Sequence, residues 1–263
     1  MTMQVVLGAR DGVLMATDTK QAALFQSALR RDAERSALET GKVRVTQHGA
    51  EKVLFNESKT IAMACSGSDL LIEVGQEIVG SISNVWNGTI ALIEELCSQK
   101  WKTIPTSERQ TALSFGETVA LIVDSKKQEA LKILFEVEKA RVVVFKRRDN
   151  QKFVLLGGDI TNPAGMILER YAPEAPSTID RLLSLAAHYI LIGGVLNPAG
   201  VGGLAIYFSR NGTPFEEVPN EIIGFLVEES KRLDKRVRSS LLRPRVSFDS
   251  GGRVSLKPPK RDR

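Results

Sequence analysis

The sequence predicts an α+β fold in which two antiparallel sheets are covered by two helical layers. Three observations carry this. The first strands alternate in hydropathy and are joined by a tight-turn signature. The segments then run in the order strands, helix pair, strands, helix pair, strand. The composition, 43% apolar and 25% charged over 263 residues, is enough to bury one large core. No internal repeat is visible.

Taken in order, residues 3–9 and 13–18 alternate on either side of Arg10-Asp11-Gly12. A central Asp11-Gly12 pair predicts a hairpin in which opposed residue numbers sum to 23, so that Asp18 faces Val5. Residues 20–40 carry apolar positions at helical spacing (Ala23, Leu24, Leu29, Ala33) and stop at Gly41, which predicts an inserted helix before "KVRVTQ" resumes strand character. Residues 51–69 read as two short strands about a polar Asn56–Lys59 turn, arriving at Gly67. Residues 69–100 read as two helices, with Asp69 as N-cap and a break at Asn87-Gly88. Strands are predicted near 116–125, 129–138 and 140–157, then helices near 163–171 and 177–194. A strand over "GGLAIYFSR" closes at Asn211-Gly212, and an amphipathic helix near 219–236 follows.

Charge is unevenly placed. Residues 231–263 hold twelve Lys/Arg against three Asp, a local charge of +9, which leaves −4 on the preceding 230 residues of a chain whose total is +5. Residues 1–238 therefore read as the folded domain. Residues 239–263, rich in Pro, Gly and Ser, read as a basic and largely disordered tail. Contact with nucleic acid is expected only through that tail.

No secretory signal is present in residues 1–20, and the longest apolar run, "LLSLAAHYILIGGVL", is read as a buried helix too short to span a bilayer, so no membrane contact is expected. Cys65 and Cys97 form neither a disulfide framework nor a metal-ligand spacing. A cytoplasmic setting follows, and neither cofactor nor metal is implied. Of the two histidines, His48 lies before the strand that begins at Lys52, and His188 falls in the apolar helix as a satisfied core residue.

The chemistry gathers at one end of the predicted sheets. With the hairpin as predicted, Asp18 lies three strand residues from Thr2, about 10 Å at ~3.3 Å per residue. A lysine on the neighbouring strand spans that gap, and Lys52 opens the strand that leads to the turn at Gly67.

The residues "T-x-x-x-x-x-G-x-x-D-G-V-x-x-A-x-D", then "E-K-V-L-F", then "I-A-M-A-C-S-G" resemble a proteasome β-type subunit, a member of the N-terminal nucleophile hydrolases. The spacing from Lys52 to Gly67 resembles most the short bacterial ATP-dependent peptidase branch. "LLGGDITNPAGMILERY" and "NPAGVGGLAIYFSRNG" resemble later segments of the family, so that the likeness covers roughly residues 2–225.

The resemblance implies a four-layer αββα sandwich and a threonine-type amide hydrolase acting on a protein or peptide. Its nucleophile is Thr2 once Met1 is removed. Asp18 holds Lys52, and the Gly67 N–H faces the oxyanion, a contact worth about 3–4 kcal/mol in comparable sites. The resemblance also implies a homo-oligomeric ring and an unfolding ATPase as partner. The chain departs from the family in two places: Gly158 and Asp159 stand in a glycine-rich turn that usually holds a serine, and Asn197 opens a segment that usually holds an aspartate and then a serine. Gly158, Asp159 and Asn197 are thus candidate supporting residues. The alternative that those departures leave open is a non-catalytic proteasome-fold subunit or binding module.

Overall fold

The structure, a computed structural model, describes residues 2–22, 45–49, 52–114, 117–146, 153–158, 163–172, 177–197, 201–241, 246–248 and 254–256. Its architecture is α+β: two five-stranded antiparallel sheets and six α-helices among the described residues.

The first sheet has the order β10-β1-β2-β11-β12. Its strands are β1 (Met3–Ala9), β2 (Gly12–Thr17), β10 (Phe153–Gly158), β11 (Ala205–Arg210) and β12 (Glu216–Glu217). The second has the order β5-β6-β7-β8-β9, built from β5 (Val53–Phe55), β6 (Ile61–Ser66), β7 (Thr118–Asp124), β8 (Glu129–Phe135) and β9 (Ala140–Lys146). Two short pairs stand apart: β3 (Lys20–Ala22) with β4 (Val45–Gly49), and β13 (Val246–Phe248) with β14 (Val254–Leu256).

Three apolar clusters hold these elements together. Met63, Cys65, Ala120 and Ile122 on one face of the second sheet pack with α1 (Asp69–Ser81) and α2 (Ile90–Trp101), where Trp101 is fully buried. Met3, Val5, Leu7 and Leu14 of the first sheet pack with α4 (Ala164–Tyr171), α5 (Ile179–Leu196) and α6 (Asn220–Leu241). Val6, Val13 and Met15 instead meet Ala62, Ala64, Val119 and Leu121 of the other sheet. Side chains alternate faces along a strand, so Thr2 and Gln4 share the Val6 side of β1 and open toward the second sheet. Because both faces of β1 and β2 are covered, these strands are buried almost throughout.

The predicted elements are corrected at several points. The hairpin pairs Ala9 with Gly12 and Val5 with Ala16, so opposed numbers sum to 21 and Asp18 faces Met3 rather than Val5. Tertiary contacts set that register. Asp11 stays in the turn, whose centre is now Arg10-Asp11, accepts a bond from Ile179 N at 2.9 Å at the start of α5, and pairs with Arg210 at 2.7 Å. Gly12 joins the strand, because β11 passes so close that any Cβ there would collide with Ser209 O.

The cap of α1 is Ser68, whose Oγ accepts from Leu70 N at 3.2 Å; Asp69 is the first helical residue. The strand expected over 140–157 is two strands in different sheets, a distinction hydropathy does not carry. The polar helix α3 (Thr106–Ser114) went unanticipated because it lacks amphipathic spacing. Within the segment expected as an inserted helix, residues 20–22 form strand β3; residues 23–40 lie outside the described residues. α6 runs to Leu241, past the expected domain end, and the tail contains the β13–β14 hairpin. α5, 18 residues long, is long and apolar enough to cross a membrane by length and composition only, a test that a helix packed in a protein core also passes. Its buried face, including Leu182, Ala186 and Ile190, packs in the cluster with β1 and β2.

Candidate active site

Thr2 sits at the end of β1 and is 8% exposed. Its strand is clamped between β2 and β10, which fixes its position along the sheet edge. Asp18 follows β2 directly, and Asp18 N donates to Met3 O at 3.1 Å, so the main chains of the two residues are joined. The Asp18 carboxylate then turns back across β1: Oδ1 accepts from Met3 N at 2.8 Å and Oδ2 accepts from Lys52 Nζ at 2.9 Å. Thr17 Oγ1 donates to Asp18 O at 3.1 Å and secures the same corner.

Lys52 precedes β5 in the second sheet and is tied to β6 by Cys65 N donating to Lys52 O at 2.9 Å. Its side chain reaches the first sheet, where Nζ donates to Thr2 Oγ1 at 3.1 Å as well as to Asp18. The side chains of Lys52 and Asp18 are 7% and 0% exposed. Two charges so far out of water are tolerated only when they are paired and their remaining lone pairs and protons bonded. Here the ammonium bonds one carboxylate oxygen and the Thr2 hydroxyl, while the other carboxylate oxygen takes a main-chain N–H. The ammonium favours any negative charge that develops on Thr2 Oγ1.

Of the sequence candidates, the fold therefore brings Thr2 and Asp18 together on Lys52, whose Nζ bonds both. The register correction moves Asp18 closer to Thr2 along the sheet than expected. Gly67 follows β6, two residues beyond the Cys65 that is bonded to Lys52, and so lies at the same end of the second sheet. Gly158 pairs with Met3 and adopts φ +82; a Cβ on it would run into the Thr2 carbonyl oxygen. Only glycine accepts both that φ and that approach, so Gly158 sets where the Thr2 peptide rests. Asn197 caps the C-terminus of α5, its N–H donating to Gly193 O at 2.8 Å and its carbonyl accepting from Val201 N at 3.0 Å. Its described backbone role is therefore to end α5. Asp159 lies outside the described residues.

Two residues next to Thr2 on β1 escaped the sequence reading. Met3 contributes its main-chain N–H, for which no side-chain signal exists. Gln4, on the Thr2 face of β1, is fully buried, and neither its Oε1 nor its Nε2 has a hydrogen-bond partner among the described residues. A polar residue in an otherwise apolar β1 was the available cue.

Neither histidine has a described bond to Thr2, Asp18 or Lys52. His188 Nδ1 bonds Ser230 Oγ at 2.8 Å, linking α5 to α6, in keeping with a satisfied residue, although it is half-buried rather than in the core. His48 lies in β4. Among the described residues no group of three or more His, Cys, Asp or Glu side chains gathers where it could hold a metal ion.

No protein-family model matches the chain, and no curated protein is similar to it in sequence. Solved structures are similar in fold. The Anbu (Gly-1) mutant from Hyphomicrobium sp. strain MC1 superposes with a TM-score of 0.59 at 13% identity, over 92% of this chain and 97% of that one. Anbu, described as an ancestral beta-subunit, from Yersinia bercovieri gives a TM-score of 0.57 at 11% identity over the same shares. At such identities the likeness establishes the fold alone, and that fold is proteasome-related.

Proposed function

We propose that this chain is an N-terminal nucleophile hydrolase, a four-layer αββα sandwich that cleaves amide bonds in a protein or peptide with Thr2 as nucleophile. The observation that carries the reading is the bond from Lys52 Nζ to Thr2 Oγ1, made by a buried lysine that is itself held by Asp18. A solitary buried salt bridge stabilises little beyond what a hydrophobic pair would, so its use as a hydroxyl partner is the better account of its presence.

Removal of Met1 exposes an α-amino group whose ordinary pKa is about 8, suited to accept the hydroxyl proton directly or through a water. Thr2 Oγ1 then attacks the substrate carbonyl carbon, and its proton passes to the amine. The oxyanion faces the N–H of Gly67, with Lys52 close to the reacting oxygen. Collapse breaks the C–N bond, the proton goes to the leaving amine, and an ester on Thr2 remains. Water, or an incoming amine, attacks the ester and frees Thr2.

In this reading the active form is a cytoplasmic homo-oligomeric ring, fed by an unfolding ATPase as in the short bacterial ATP-dependent peptidases, and the basic tail lies outside the catalytic domain. A second reading, a non-catalytic subunit of the same fold, is favoured by Gly157-Gly158-Asp159 where the family usually carries a serine, and by the run from Asn197 to Val201 where it usually carries an aspartate and then a serine.

The intact mass of the purified protein, taken before and after exposure to an electrophile selective for N-terminal threonine, separates the two. Loss of Met1 with one adduct, absent in Thr2→Ala, is expected. Retained Met1, or a trimmed chain that never labels, would establish the non-catalytic reading.

A further inference from the structure

We propose that the exposed basic face on the second half of α6 binds the phosphate backbone of double-stranded nucleic acid without regard to base sequence. This binding is independent of catalysis at Thr2.

The first half of α6 belongs to the body. Leu226 lies in the cluster with α5 and the first sheet, Ser230 Oγ bonds His188 Nδ1 at 2.8 Å, and Glu229 Oε2 accepts from Ser184 Oγ at 2.8 Å. Past Ser230 the helix runs on to Leu241, and there Lys231, Arg232, Lys235 and Arg236 are all exposed. At about 100° per residue, Leu226, Ser230, Leu233 and Val237 fall within about 60° of one another, on the side that Leu226 and Ser230 pack against the body. The four cations lie about 90° or more from the middle of that side, so they face away from the body. Lys231 pairs with Glu228 at 2.7 Å, whereas Arg232, Lys235 and Arg236 have no ion pair among the described residues.

Charge and placement decide what that face meets. Residues 231–238 carry five Lys/Arg against Asp234 alone, and residues 239–263 add seven against Asp249 and Asp262, whereas residues 1–230 sum to −4. A solvated helix face ordinarily interleaves both signs. The helix dipole favours cations only within the last turn, and Lys231 and Arg232 stand more than two turns ahead of Leu241 at ~3.6 residues per turn. Neither reason accounts for them. A like-signed array is what a lattice of phosphates neutralises, and a body that shares the sign of the phosphates confines the contact to this end. An anionic lipid surface would also take up apolar side chains beside the cations, but Leu233 and Val237 lie on the body side of the helix. Single strands are held by aromatic stacking, and residues 231–263 contain one aromatic, Phe248. A duplex asks only for cations on its backbone, and such contacts carry no sequence information.

Fluorescence anisotropy of a short DNA duplex, titrated with the full-length protein across a salt series, tests the contact. With about five phosphates neutralised, affinity should fall about 500-fold between about 50 and 200 mM salt, and two duplexes of unrelated sequence should bind alike. Arg232→Gln/Lys235→Gln/Arg236→Gln should weaken binding about tenfold or more and flatten the salt dependence to about tenfold over the same range. Lys102→Gln/Lys139→Gln/Arg141→Gln makes the same change of charge in the half of the molecule built on the second sheet, and should leave binding within about twofold. All six positions are exposed, so both triple variants should fold, as circular dichroism checks. Absence of duplex binding at about 50 mM salt, an unweakened helix variant, or equal weakening by both triple variants would overturn the proposal. So would tighter binding to the single strand of the same length, or to phosphatidylserine vesicles, than to the duplex. Covalent labelling of Thr2 should proceed in either triple variant, so loss of this contact and loss of the nucleophile are read separately.

Discussion

Lys52 Nζ stands 2.9 Å from Asp18 Oδ2, a salt bridge that joins the two sheets at the end where Thr2 lies. Neither partner is close to the other in sequence, and each is held by its own sheet. The ammonium is thereby fixed beside a hydroxyl without ordering a long side chain at the time of reaction.

Removing the lysine should therefore act on stability as well as chemistry. Lys52→Ala leaves Asp18 buried without its cation, and a loss of about 3–5 kcal/mol in urea unfolding is expected. Lys52→Arg keeps the charge but not the point geometry. It should fold with a smaller loss, while electrophile labelling of Thr2 falls by about 100-fold or more, as expected when a positioned electrostatic partner is misplaced.

Gly158→Ala should be costly out of proportion to one methyl group. A non-glycine residue at that φ costs about 1–3 kcal/mol by itself, and the new Cβ would also displace the Thr2 carbonyl. Thermal unfolding should show at least that loss, with slower labelling of Thr2. A fully active, fully stable variant would show that Gly158 does not set the position of Thr2.

Gln4→Met should stabilise the protein. The side chain is 0% exposed and its amide has no partner among the described residues, so replacing it with an apolar side chain of similar size removes a desolvation cost of about 1–3 kcal/mol. An upward shift of the urea midpoint at unchanged slope is the expected result. Destabilisation instead would mean that the amide is bonded in the working protein.

Acid should loosen the contact between α5 and α6. Burial holds the His188 imidazole below its ordinary value near 6.5, and Asp234 opposes that only in part. The unfolded chain then takes up a proton at higher pH than the native one. Stability from this group is full above about pH 6.5 and is lost as pH falls toward the depressed native value. His188→Gln should flatten that stretch of the stability profile relative to the unaltered protein.

The two thiols should be inert in the folded state. Burial pushes Cys65 up to about 12, and burial with Glu94 nearby pushes Cys97 up to about 12. Thiolate is therefore negligible at neutral pH. A disulfide reagent should titrate neither thiol in buffer and both in denaturant.

The sequence alone determined the fold class, most of the element order, and three of the residues that meet at the site. Alternating strands, a hairpin signature and helical spacing are local patterns, and Thr2, Asp18 and Lys52 stood out because their spacing resembled a known arrangement. Tertiary contacts decided the rest. The hairpin register shifted because Asp11 was drawn to the start of α5 and Gly12 to the close passage of β11. One predicted strand became two because membership of a sheet depends on distant partners. The bond from Lys52 to Thr2 exists because two stacked sheets place their ends together, and the Met3 N–H entered the site through backbone geometry alone. Periodicity reports which face of an element is apolar, but not what that face meets. The latter is a long-range free energy summed over the whole packed chain.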